Sequence, residues 1–171
     1  MRDIVKTNIL LVCIVFAILG CESDNTVQGH QPVNSLHFSP DVVTLSPNDS
    51  ARVSLVISGL STNIFGMSFQ IVCDSTVISF ISEPEAGDFF GQEEISFSRT
   101  TESTIHMSIT NIQGNAPVNG SGTICTLYFS GQSEGDCLIH LLRDELRLYN
   151  SAGIEIENLD LELSSAIIQI R

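Results

Sequence analysis

Five carboxylates, Glu83, Glu85, Asp88, Glu93 and Glu94, crowd one short stretch of the 171-residue chain. Oxygen ligands in that number suit calcium, which takes about six to eight of them. No EF-hand-like spacing is present, so the stretch reads as a solvated acidic loop. A glycosidase pair of carboxylates has no fixed spacing in sequence. Such a pair needs a cleft built from long loops, and the turns here are short. His106 and His140 lie far apart, with no acidic or Cys residues in a ligand pattern beside them. A surface role suits them better than metal binding or general-base work. No GxSxG, HExxH or Gly-rich phosphate loop occurs. Lys6 is the only lysine, so the chain beyond it has no Schiff-base amine and no phosphate-gripping Lys. On these grounds no catalytic residue, metal site or cofactor is assigned, and the chain reads as a non-enzyme.

Cysteines carry the remaining reactive chemistry. Residues 1–20 read as an export signal. Arg2 and Lys6 make a positive start, diluted by Asp3, and an apolar run follows from Ile9 to Leu19. The run suits a signal segment and is too short for a bilayer core of ~30 Å. It ends in Ile18-Leu19-Gly20-Cys21, which resembles the lipobox of bacterial lipoproteins. That resemblance implies that Cys21 is lipidated on sulfur and becomes the new N-terminus. It further implies a lipid-anchored protein of the bacterial cell envelope, periplasmic or surface-exposed, on the outer membrane if the cell is Gram-negative. Residues 21–35 are rich in Ser, Asn, Asp, Gln and Gly, with Val27 and Val33 as the apolar members of 22–35. They read as a flexible tether behind the lipid. Cys13 leaves with the signal, so Cys73, Cys125 and Cys137 remain for the folded part. One disulfide plus one free thiol fits an oxidising compartment. Three buried thiols packing as small hydrophobes fits equally well. Sequence does not say which two would pair, and no CxxC or Cys/His spacing suggests zinc.

The formal net charge is −13. Removing residues 1–20 takes away Arg2 and Lys6 against Asp3, one net positive charge, and leaves −14. A polyanion partner needs a basic surface, so nucleic acid is excluded. With 43% hydrophobic and 16% charged residues, wholesale disorder is excluded as well.

The elements that must hold any site read as strands from Leu36 onward. Val53, Leu55 and Ile57 alternate with Arg52, Ser54 and Ser58. Met67, Phe69, Ile71 and Cys73 alternate with Ser68, Gln70, Val72 and Asp74. Ile105, Met107 and Ile109 alternate with His106, Ser108 and Thr110, and Cys125, Leu127 and Phe129 alternate with Thr126, Tyr128 and Ser130. Period two places each apolar set on one strand face. Turn signals are Ser46-Pro47-Asn48-Asp49, Ser58-Gly59, Asn119-Gly120-Ser121-Gly122, 131–135 and Asn150-Ser151-Ala152-Gly153. The last run changes phase near Ser164-Ser165, where a bulge would restore the inward face. Asp144-Glu145 reads as a short turn. About eight to ten strands with one apolar face each need two sheets packed face to face. Residues 36–171 therefore read as one all-β domain, an antiparallel β-sandwich. Phe89-Phe90 reads as a plug at the sandwich end.

The order of these segments resembles the cohesins. The resemblance is carried by Val42-Val43-Thr44-Leu45 and by Ile64-Phe65-Gly66-Met67-Ser68-Phe69-Gln70-Ile71-Val72-Cys73-Asp74. Glu83-Pro84-Glu85-Ala86-Gly87-Asp88-Phe89-Phe90, Gly122-Thr123-Ile124-Cys125-Thr126-Leu127-Tyr128-Phe129 and the late run from Leu146 to Ile156 continue it. Cys73 stands where the family has an aromatic residue, and Ser75 where it has Pro. The resemblance implies jelly-roll topology and a protein-binding role in which a dockerin-type module docks on one flat sheet face. The corresponding strands here are 67–74, 104–110 and 123–130. The implied contact residues are Gln70, Val72, Asp74, His106, Ser108, Thr126 and Tyr128. The alternative is a carbohydrate-binding module with polysaccharide as partner. The absence of Trp and the presence of only two Tyr speak against the aromatic platforms it would need.

Overall fold

The computed structural model describes residues 34–171 apart from Gln92 and Asn158. The signal segment 1–20, Cys21 and the tether up to residue 33 lie outside the described residues. Ser35 is buried and opens the first strand, and Asn34 Oδ1 accepts hydrogen bonds from the Ser61 N–H at 2.9 Å and the Ser61 hydroxyl at 3.2 Å.

The period-two runs form thirteen strands among the described residues. In chain order these are β1 (Ser35–Ser39), β2 (Val42–Leu45), β3 (Ser50–Ile64), β4 (Gly66–Val72), β5 (Ile78–Phe80), β6 (Glu85–Ala86) and β7 (Glu94–Thr100). There follow β8 (Thr104–Asn111), β9 (Val118–Gly131), β10 (Gly135–Leu141), β11 (Arg147–Tyr149), β12 (Glu162–Leu163) and β13 (Ala166–Ile170). A single 3-10 turn, Arg143–Glu145, covers the expected turn at Asp144-Glu145. One sheet runs β12-β1-β3-β9-β5, with β6 also on β9. The other runs β2-β13-β10-β4-β8-β7, with β11 also on β4.

The inward residues of both sheets meet in one core. Leu36, Val53, Leu55, Ile57, Leu127 and Phe129 come from the first sheet, and Ile71, Ile105, Ile139, Ala166, Ile168 and Ile170 from the second. None has measurable exposure. Burying each large side chain stabilises by about 1.5–3 kcal/mol. The result is the expected β-sandwich. Its pairings are antiparallel except for two short parallel ones, β1 with β12 and β2 with β13.

Three local readings are corrected. Ser58-Gly59 does not end a strand, and neither does Asn119-Gly120-Ser121-Gly122. β3 and β9 run through these segments, and their pairing register shifts there, with Leu60 opposite Gly120 and Ile57 opposite Gly122. The two Gly-containing segments are irregularities facing each other, tied by the Gly59 N–H donating to Ser121 Oγ at 2.8 Å. Glycine marks a bulge as readily as a turn, which is why the signal misleads. At Ser164-Ser165 the chain changes sheets instead of bulging. β12 pairs with β1 in one sheet, and β13 with β10 and β2 in the other.

Phe89 and Phe90 are buried and meet edge to face at 5.2 Å, as expected of a plug. Phe89 lies directly over Gly122, where a Cβ would come within 3.1 Å of its Cα.

Candidate functional site

Small residues line the middle of the second sheet's outer face. Ser68 of β4 stands opposite Ser108 of β8, and Gly66 opposite Thr110. A Cβ at Gly66 would sit 2.9 Å from Thr110 Oγ1, so glycine lets the two strands keep this approach. Larger side chains flank the small ones. On β7, Phe97 stands opposite Ser108, Ile95 opposite Thr110 and Arg99 opposite His106, which in turn stands opposite Gln70. On the other side, β11 sets Arg147 against Ser68 and Tyr149 against Gly66. Large borders around a low centre leave two shallow depressions. One, of about 290 Å³, is lined by Gln70, Arg99, His106 and Glu145 among others. The other, of about 250 Å³, is lined by Phe65, Ile95, Tyr149 and Asn150 among others. Phe97, Ser68 and Ser108 belong to both.

Phe97 is 72% exposed and Ile95 42%. An aromatic ring standing that far into water on a sheet face gains free energy when a partner covers it. Across the small residues from it, on β11, polar groups are held in fixed positions. Arg147 Nε bonds Glu155 Oε1 at 3.2 Å, and the Tyr149 hydroxyl lies 3.5 Å from Ser68 Oγ.

The contact residues expected from sequence divide between two faces. Gln70, Val72, His106 and Ser108 lie together on the outer face of β4 and β8. Asp74 lies past the end of β4. Its Oδ1 accepts from the Thr76 N–H at 2.9 Å and the Thr76 hydroxyl at 2.7 Å. Those two hydrogen bonds hold its carboxyl below the ordinary carboxylate range. Thr126 and Tyr128 belong to β9, in the opposite sheet. The expectation that strands 67–74, 104–110 and 123–130 share one face is therefore corrected. Alternation tells inward from outward, but not which of two sheets a strand joins. Tyr128 is engaged where it stands. Its hydroxyl donates to Glu85 Oε2 at 2.6 Å, which pushes its ionisation up, and Arg52 is its cross-strand neighbour. Thr126 Oγ1 lies 3.0 Å from Ser54 Oγ.

Sequence reading missed Ile95, Phe97, Arg99, Arg147 and Tyr149 as face residues. The signal was the alternation Ile95-Ser96-Phe97-Ser98-Arg99, a strand whose apolar members point to water.

Four of the five carboxylates in the acidic stretch accept from separate donors, Glu85 from Tyr128 as described. Glu83 accepts from the Thr100 N–H at 3.2 Å and the Thr100 hydroxyl at 2.9 Å. Hydrogen bonds from Ser98 and Thr100 hold it below the usual carboxylate range. Asp88 accepts from the Thr123 N–H at 2.7 Å, and Glu93 from Asn115 Nδ2 at 3.5 Å. Among the described residues no group of three His, Cys, Asp or Glu converges as metal ligands would. Cys73, Cys125 and Cys137 are free thiols. Burial in the core pushes Cys125 up to about 12.

Comparisons with known proteins agree with this architecture. The family model described as the cohesin domain matches residues 36–136, more than half of the chain. No curated protein matches. Among solved structures, a type II cohesin domain from the cellulosome of Acetivibrio cellulolyticus superposes with a TM-score of 0.67 at 17% identity, covering 80% of this chain and 95% of that one. A chain of a type I cohesin–dockerin complex from Clostridium thermocellum gives 0.64 at 17% identity, over 82% and 100%. A non-cellulosomal cohesin from the archaeon Archaeoglobus fulgidus gives 0.64 at 11% identity, over 82% and 92%. At these identities the likeness to solved structures is one of fold.

Proposed function

The chain belongs to the cohesin domain family, and from that premise we propose that it is a non-catalytic protein-binding module whose partner is a dockerin-type module. The partner docks on the outer face of β4, β8 and β7. The exposed Phe97 ring, standing between two shallow depressions, carries this reading. Gln70, His106 and Ser108 line the depressions, with Ile95, Arg99 and Tyr149 around them, and Val72 lies farther along the same face of β4. Thr126 and Tyr128 stand on the opposite sheet and take no part. The dockerin complex among the similar structures supports the class of partner.

The same proposal holds the module at the bacterial envelope through a lipid on Cys21, on the strength of Ile18-Leu19-Gly20-Cys21 alone. Polysaccharide serves as the negative arm of the test, since the family matched is that of cohesins.

Calorimetric titration against a panel of dockerin modules tests the reading. A tight complex is expected with at least one. Phe97→Ala is expected to weaken it by about 30-fold, the scale of an interface hot spot of ~2 kcal/mol, while Tyr128→Ala leaves the Kd in place. Binding to insoluble cellulose or chitin with no dockerin binding would overturn the proposal. So would a Kd that depends on Tyr128 and not on Phe97.

A further inference from the structure

The fold sorts the described thiols into two neighbours and one loner. Cys125 sits in the core on β9 with no exposure. Cys73, one residue beyond β4, and Cys137, near the start of β10, lie on neighbouring strands, since Val72 stands opposite His140 in the β4–β10 pairing. The backbone holds them there. The Asp74 N–H donates to Cys137 Sγ at 3.2 Å, and the same sulfur lies 3.9 Å from the Asp74 carbonyl oxygen. The corner that follows Cys73 is braced against the link from β9 to β10. The Gln132 N–H donates to the Val77 carbonyl at 2.7 Å, and the Ser133 hydroxyl donates to the Thr76 carbonyl. A covalent link between these sulfurs would join elements that are already hydrogen-bonded.

We infer that Cys73 and Cys137 are the disulfide-forming pair of this domain, with Cys125 left as its buried single thiol. Cys73 is half-buried and Cys137 almost wholly buried, so the Cys73 sulfur is the one that a dissolved oxidant reaches. The Cys73 S–H beside it holds the Cys137 thiol down to about 7, and the same contact, with burial, raises Cys73.

Oxidised glutathione is a sufficient oxidant. Cys73 loses its proton, and its thiolate attacks one glutathione sulfur. The glutathione S–S bond breaks, and one glutathione leaves as a thiolate that takes up a proton. Cys137 then loses its proton and attacks Cys73 Sγ, forming the protein disulfide and expelling the second glutathione thiolate. Two protons and two electrons pass from the protein to oxidised glutathione, which becomes two molecules of reduced glutathione. The new bond closes the chain between residues 73 and 137, which constrains the unfolded state and stabilises the domain.

The test uses the full chain, incubated with oxidised glutathione, digested without reductant and mapped by mass spectrometry. The expected product is a linked peptide pair joining Cys73 to Cys137, lighter by two hydrogens and split by dithiothreitol. The thermal midpoint of the oxidised wild type is expected to fall on reduction. Cys125→Ser is expected to keep both properties, and Cys73→Ser to lose the response to reductant. Mapping the wild type needs no variant to fold. A link from Cys73 or Cys137 to Cys125 or Cys21 would overturn the inference. So would glutathione retained on Cys73 with no internal bond, or thiols that remain fully reduced.

Discussion

Phe97 and Phe129 are the same side chain in opposite surroundings, 72% exposed and not exposed at all. Truncation should separate binding from folding. Phe129→Ala leaves a cavity between the sheets and is expected to cost about 3–5 kcal/mol, read from urea unfolding. Phe97→Ala removes a ring that packs little on its own domain, so its unfolding midpoint should stay within ~0.5 kcal/mol of wild type while dockerin binding drops. Asp74 gives a pH-dependent counterpart. Its folded-state carboxyl is held below the ordinary range by Thr76. The stability it adds is present above the ordinary carboxylate range of ~3.9 and is lost as pH falls through the lower folded value. Asp74→Ala is therefore expected to lower the thermal midpoint at neutral pH, with the difference from wild type shrinking under acid. An unchanged difference across the acid range would argue against this role. At this scale the sequence showed which way Gln70, His106 and Ser108 face, because alternation encodes that directly. It did not show Phe97, because a phenylalanine in an alternating run is by default assigned inward, and only an edge strand lying over water reverses that.

Strands were legible wherever apolar residues repeat at period two, and both sheets' central strands were read that way. Partners were not, because each strand's alternation is compatible with either sheet. The glycines around β9 show the same limit. Gly120 and Gly122 read as a turn, yet both sit inside a long strand, where Gly122 lets Phe89 of the plug lie against it and Gly120 takes a φ of 94°. Gly87 fixes the other half of that contact. Its N–H donates to the Ile124 carbonyl at 2.8 Å, and a Cβ there would fall 2.1 Å from the Thr123 carbonyl oxygen. Backbone cannot yield as a flexible side chain can, so Gly87→Ala is expected to lift β6 and the plug from β9. The expected destabilisation is about 1–3 kcal/mol, with increased hydrogen exchange at Thr123 and Ile124. Gly91→Ala is the control. It has open space around it but a φ of 89°, so its cost should be the conformational one alone, about 1–2 kcal/mol, without added exchange at β9. Equal exchange in both variants would show that Gly87 serves only the local backbone.

As a whole molecule, the chain without its first 20 residues carries −14 and no lysine. Anionic lipid headgroups attract basic segments at about 1 kcal/mol per Lys or Arg near the surface, and an acidic domain without a basic cluster gains nothing from that field. Among the described residues no helix is long and apolar enough to cross a membrane. Under the proposed envelope reading, the hold on the membrane rests on acyl chains at Cys21. One chain alone binds marginally, while two or more hold firmly. Cys21→Ser, expressed with its own signal in a bacterial host, is expected to move the protein from the detergent phase to the aqueous phase on partitioning. The acyl mass on the N-terminal peptide should disappear with it. The released protein should bind dockerin with the wild-type Kd, because the face around Phe97 is built from β4, β7, β8 and β11. A Cys21→Ser protein that stays in the detergent phase would refute the lipid anchor and leave the binding face untouched. Loss of binding in the released protein would instead tie the N-terminal segment to the face.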